Sequence, residues 1–127
     1  MNWKQISEKS PRAFKHLYAT LHRIEDDEVE MRRDEDVSLY EEFERDYLTA
    51  YEDSPWNWRN LYYFFDEIGL YVEIGIDKTM EAKFCYEISW EKDFDWKTTG
   101  YSDLEYTRER AEETAFERAF EILEERL

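Results

Sequence analysis

The chain has 127 residues, 18% of them aromatic, which suffices for one packed domain spanning 1–127 without metal or disulfide staples. A formal net charge of −16 repels nucleic acid and anionic membranes over most of the surface and disfavours direct binding to either. The charged fraction of 39% would suit a disordered chain, but the aromatic content supplies the apolar surface that disorder lacks.

Charge is unevenly spread: residues 1–24 carry about +4 and residues 25–53 about −11. Ser10-Pro11 opens the first long helix, with serine as N-cap and proline at the first helical position. Phe14, Leu17, Tyr18, Leu21 and Ile24 follow at helical spacing. Glu25-Asp26-Asp27-Glu28 is expected to stop that helix, because acids oppose the dipole at a C-terminus. Residues 26–37 then read as a charge-dense loop holding a short strand at 29–31.

Ser38 and Glu41 form the capping-box pattern of a second helix, whose Tyr40, Phe43, Tyr47, Leu48 and Tyr51 share a packed face. Glu41, Glu42, Glu44, Arg45 and Asp46 are expected mostly toward solvent. Asp53-Ser54-Pro55 breaks the chain. Asn57 caps a third helix bearing Trp58, Leu61, Tyr62, Phe65 and Ile68, and Gly69 ends it in the left-handed conformation.

Three strands follow. Leu70, Val72, Ile74 and Ile76 share one face of the first. In the second, residues 80–90, Met80, Ala82, Phe84, Tyr86, Ile88 and Trp90 face the core, and Cys85 falls on the water side. The third, residues 94–101, alternates Phe94 and Trp96 with Asp95 and Lys97. Short connections make the three an antiparallel meander. Thr107 caps a final helix whose Ala111, Ala115, Phe116, Ala119, Phe120, Ile122, Leu123 and Leu127 form a broad apolar face. The fold class is therefore α+β, a three-stranded antiparallel meander covered by helices in the order α-α-α-β-β-β-α.

Three segments carry a resemblance: the opening W-K-Q-I-S-E-K-S-P-R-A-F (3–14), R-N-L-Y-Y-F-F-D-E-I-G-L (59–70) and the closing helix T-R-E-R-A-E-E-T-A-F-E-R-A-F-E-I-L (107–123). Together they resemble small uncharacterised proteins of gut bacteria and their phages and mobile elements. The resemblance covers about half the chain and implies a shared fold and a mobile-element setting. It brings no activity or site.

Known chemistry finds little footing. Cys85 has no partner for an internal disulfide, which points to a reducing, cytoplasmic setting in a bacterial host cell. No secretory leader or bilayer-spanning apolar run is read from the sequence. His16 and His22 lie six apart, on different faces of one helix, so no shared metal is expected. Asp26-Asp27-Glu28 and Asp34-Glu35-Asp36 lack the spacing and central glycine of a calcium loop. No nucleotide or catalytic motif is present, so neither a cofactor nor an enzyme is expected.

Aromatic residues are more numerous than a small core needs: Trp56, Trp58, Tyr62, Tyr63, Tyr71, Tyr86, Trp90, Trp96 and Tyr101. The leading expectation is a non-enzymatic binding protein of phage or mobile-element type, docking on a host protein with a basic surface. Glu41, Glu42, Glu44, Asp46, Glu52 and Asp53 would imitate phosphates and inhibit a nucleic-acid-binding target, such as a host defence system. The alternatives are a small accessory homodimer whose acidity only gives solubility, or a small-ligand domain with an aromatic wall of Trp58, Tyr62, Trp90 and Trp96.

Overall fold

Local capping chemistry and apolar spacing account for most elements, in the helix-then-strand-then-helix order expected. The structure, a computed structural model, describes residues 1–32, 36–49, 58–79 and 83–127. It is an α+β fold with a three-stranded antiparallel meander, and its contacts divide into two compact units. One comprises Met1–Asn57 with Phe120–Leu127, the other Trp58–Ala119.

In the first unit, α1 (Trp3–Lys9) starts at Asn2, whose side chain accepts from the Gln5 N–H at 3.0 Å. Helix α2 (Pro11–His22) has Ser10 at its N-cap position, as expected, yet the serine side chain makes no capping bond. Glu124 replaces it, accepting from the Ala13 N–H at 2.8 Å and the Arg12 N–H at 3.3 Å. The helix ends at Arg23, in the left-handed region at φ 57°, and Ile24 N–H donates to Ala19 at 3.0 Å.

The acidic run therefore does not terminate α2. Asp26, Asp27 and Glu28 form the first turn of α3 (Asp26–Arg32), where the dipole favours negative charge. Over 26–32 the expected loop, with its strand at 29–31, is instead this helix, with Val29 as its buried anchor; residues 33–35 of that loop lie outside the described residues.

Helix α4 (Leu39–Phe43) has the expected capping box: Ser38 Oγ accepts from Glu41 N–H at 3.1 Å, and Glu41 accepts from Ser38 N–H at 3.4 Å. Where a continuous α-helix was expected, Glu44–Thr49 is π-helical. The wider turn lets Asp46 and Tyr47 both reach His22, at 3.3 and 3.1 Å. The core of this unit centres on Phe43, whose ring lies 4.9 Å from Phe14, 5.2 Å from Trp3 and 5.5 Å from Tyr47.

In the second unit, α5 (Trp58–Ile68) buries Leu61, Phe64 and Phe65. Gly69 follows at φ 86°, and Leu70 N–H donates back to Phe65 at 2.9 Å, the left-handed end expected of it. The strands are β1 (Tyr71–Asp77), β2 (Lys83–Lys92) and β3 (Asp95–Thr98), in that order across the sheet. Val72 pairs with Ile88, Ile74 with Tyr86 and Ile76 with Phe84, so these side chains share the covered face. Burial on this face is graded, deep at Val72 and Ile88 and open at Ile76. Helix α6 (Arg108–Arg126) is capped by Thr107, whose hydroxyl accepts from Arg110 N–H at 3.1 Å. Its residues 108–119 belong to this unit; Ala111, Ala115 and Ala119 are buried, and Phe116 sits 4.9 Å from Tyr62 and 5.8 Å from Phe65.

Three strand expectations need correction. Cys85 is buried rather than facing water: its neighbour across the strands is Gly75, and the Tyr101 ring lies over that glycine. Phe94 does not belong to β3. With Asp93 it forms the hairpin turn, both residues left-handed at φ 54° and 66°, and its side chain is 100% exposed. Beyond Thr98, residues 99–105 continue along β2 as an irregular edge. Thr99, Ser102 and Glu105 N–H donate to Ile88, Tyr86 and Phe84, while the Thr99 and Ser102 hydroxyls accept from Ile88 and Tyr86 N–H.

A phenylalanine at φ 66° is strained, since its Cβ crowds the backbone there. Phe94→Gly is expected to raise stability by about 1 kcal/mol in urea denaturation. An unchanged or lowered midpoint would show that the turn carries no such strain.

Candidate functional site

The acidic stretch loses most of its free carboxylates to the protein's own groups. Glu42 is 6% exposed and accepts from Tyr18 OH at 3.2 Å. Glu44 accepts from Tyr40 OH at 2.9 Å, and Asp46 lies 3.3 Å from His22 Nε2 and 3.2 Å from Arg45 Nε. Glu41 is exposed but engaged in the capping box. Glu52 and Asp53 lie outside the described residues. A groove of about 480 Å³ beside α1 and α4 does bring Glu41 and Glu44 together with Glu8 and Lys4. The expected row of solvent-facing acids on a regular helix is thus absent from the described part, because the π-helical turn and the Tyr18 and His22 side chains draw Glu42 and Asp46 inward.

His22 stacks on Tyr18 at 4.0 Å, while His16 pairs with Asp26 at 2.8 Å, so the two histidines serve separate contacts. Among the described residues, no group of three or more His, Cys, Asp or Glu is placed to hold a metal ion. Among the same residues, no helix is long and apolar enough to cross a membrane.

Two phenols bonded to acids share a pH signature. Burial, then the charge of Glu42, pushes the Tyr18 phenol well above its ordinary range; burial, then Glu112, does the same to Tyr62. The folded state holds these protons more tightly than the unfolded chain does. Their contribution is full below the unfolded phenol value of about 10 and is lost as pH rises beyond it. Alkaline difference absorbance is expected to show two tyrosines ionising only with unfolding. Early titration of all ten tyrosines would contradict this.

Glu112 is 7% exposed and accepts from Tyr62 OH at 3.3 Å. Burial raises its carboxyl above the usual range, against the opposing effects of Tyr62 and Arg108. Its contribution is full below the unfolded carboxyl value of about 4.3 and is lost as pH rises through the raised folded value. Glu112→Gln keeps an acceptor for Tyr62 and is expected to flatten the decline in stability as pH rises above the unfolded carboxyl value of about 4.3.

The expected aromatic wall is not one surface. Strand register puts Trp90 opposite Lys97 and Trp96 opposite Glu91, so the two tryptophans lie on opposite faces of the sheet. Tyr62 packs on Phe116 over α6, and the Trp58 side chain lies outside the description. Trp96 instead joins Tyr71, with rings 5.9 Å apart, on the uncovered face. Tyr101 stands over Gly75 on that same face.

Tyr71, Trp96 and Tyr101 are 39%, 61% and 77% exposed. Glu73, Glu87 and Glu91 share their face by the strand register. This open face is the candidate site. Its signal was present in the alternation, since Tyr71 is out of phase with Val72 and Ile74. Placing Trp96 and Tyr101 on it required the register of β3 and the path of residues 99–105. Compared with known proteins, the chain matches no family model, no curated protein and no solved structure.

Proposed function

We propose that the chain is a non-enzymatic binding protein of phage or mobile-element type that docks on a basic surface of a host protein. The docking surface is the open sheet face rather than the acidic helix. The observation that carries this is the interleaving of exposed Tyr71, Trp96 and Tyr101 with Glu73, Glu87 and Glu91 on one face. Lysine and arginine suit such a surface: their methylene stems pack on rings, their cations sit over ring faces, and their charges end at carboxylates. Phe94, held fully exposed in a strained turn beside this face, adds an apolar anchor at the hairpin tip. The net charge of −16 favours fast encounter with a basic partner. Nucleic-acid-binding proteins present such surfaces, so inhibition of a host defence system by occupying a nucleic-acid site belongs to the same proposal.

The test is retention from bacterial host lysate at low and high salt, using the wild-type chain beside Trp96→Ala and Glu41→Gln. One host protein should be held at low salt and released at high salt. Trp96→Ala should weaken binding of that purified partner about thirtyfold, the cost of a central aromatic anchor, and Glu41→Gln should leave it nearly unchanged. A partner lost with Glu41→Gln and kept with Trp96→Ala would return the site to the acidic helix.

A further inference from the structure

The geometry points to a second interaction surface: we infer that the free edge of β1 pairs with β1 of a second copy in antiparallel register centred on Ile74, joining two meanders into one six-stranded sheet. The hydrogen-bond directions identify the edge. Phe84, Tyr86 and Ile88 of β2 turn their backbone groups to residues 99–105. By alternation Lys83, Cys85, Glu87 and Ser89 turn theirs to their β1 partners Asp77, Gly75, Glu73 and Tyr71. Val72, Ile74 and Ile76 therefore point theirs away from the sheet, and none of the three has a backbone partner there among the described residues.

Edges of this kind are usually blunted by a short strand, a proline, a bulge or charge. Strand β3, the opposite edge, is four residues long, wholly exposed and carries Asp95 and Lys97. Strand β1 runs for seven residues without proline or bulge, its two charges, Glu73 and Asp77, both lie on the open face, and its Ile76 is 43% exposed on the covered face.

Self-pairing is selected by side chains. Centred on Ile74, the register sets Ile74 against Ile74 of the second copy and Val72 against Ile76. Each of these pairs exchanges two backbone hydrogen bonds and uses only the outward-pointing residues. On the open face Glu73 then meets Gly75, and Asp77 meets Tyr71, so no like charges are opposed. Sliding the centre to residue 73 sets Glu73 against Glu73. Sliding it to residue 75 sets Glu73 against Asp77. Both are penalised by like-charge opposition, and neither pairs all three outward residues. The centred register is also two-fold symmetric, as a closed dimer requires.

Salt separates this association from docking on a basic partner. Two copies each carry −16, so screening should tighten the dimer, whereas it should weaken the heterologous complex. Sedimentation velocity across a concentration series, at low and high salt, is expected to show a reversible dimer favoured by salt. Amides of Val72, Ile74 and Ile76 should gain exchange protection as the dimer forms.

Ile74→Pro removes an N–H that points only outward, so the sheet's own ladder is untouched and circular dichroism should be unchanged. The central pair loses both its hydrogen bonds, and the dimer dissociation constant should rise about thirtyfold. Ile76→Lys places a charge on the covered side of the edge and should also give a monomer, which decides the matter if the proline variant folds poorly. A wild-type chain that stays monomeric at both salts overturns the inference. So does a dimer that persists in folded Ile74→Pro and Ile76→Lys, or one whose formation leaves the three amides unprotected.

Discussion

Phe43→Ala is expected to lower the unfolding free energy by about 3–5 kcal/mol, a large share of the roughly 5–15 kcal/mol that holds a typical folded protein together. The Phe43 ring has no exposed surface and touches Trp3, Phe14 and Tyr47. It also stands at the junction between α4 and the π-helical turn, so its contacts decide how the following residues are directed. Truncation would leave a cavity walled by rigid rings, which cannot collapse as aliphatic side chains can. Urea unfolding with an unchanged slope would report the loss directly. A shift no larger than that of half-buried Leu39→Ala would mean that the aromatic cluster is loosely packed.

Glu124→Ala should cost about 2 kcal/mol. A single carboxylate at the end of α6 accepts from the Ala13 and Arg12 N–H groups at the start of α2, with its side chain only 18% exposed. It therefore acts as the helix cap that Ser10 does not provide, and places negative charge where the dipole favours it. The adjoining pair with Arg12 Nε matters less, because the Arg12 side chain is 60% exposed and solvent screens it. Arg12→Ala should accordingly cost about 1 kcal/mol or less, mostly through the bonds it donates to the Glu124 and Leu127 carbonyls. Glu124→Gln retains an acceptor without the charge and should fall between. Equal losses for Arg12→Ala and Glu124→Ala would identify the ion pair, rather than the cap, as the stabilising contact.

Carboxylates illustrate how composition can mislead. With 33 acids in the chain, the sequence reads them as a solvated, partner-seeking surface. Several instead hold the protein's own groups: Glu42 and Glu112 accept from tyrosine hydroxyls, and Glu124 caps a helix. Their partners lie 24, 50 and 111 residues away, beyond any local pattern. The acidic run at Asp26 misled for a different reason. The same three acids disfavour the end of one helix and favour the start of the next, and Arg23 decides between these by adopting the left-handed conformation that ends α2.

By itself the sequence determined the α+β class, the three-stranded meander, the Ser38–Glu41 capping box, the Gly69 helix end and the Thr107 cap. Each depends on apolar periodicity or on groups within a few residues, so the information is local. Tertiary structure alone decided which face of the sheet each tryptophan occupies, where Cys85 is buried, how residues 99–105 seal one edge of β2, and which carboxylates stay free. Strand register is the reason. Moving β3 by one residue would carry Trp96 to the covered face and remove it from beside Tyr71, and no pattern within the strand itself distinguishes the two arrangements.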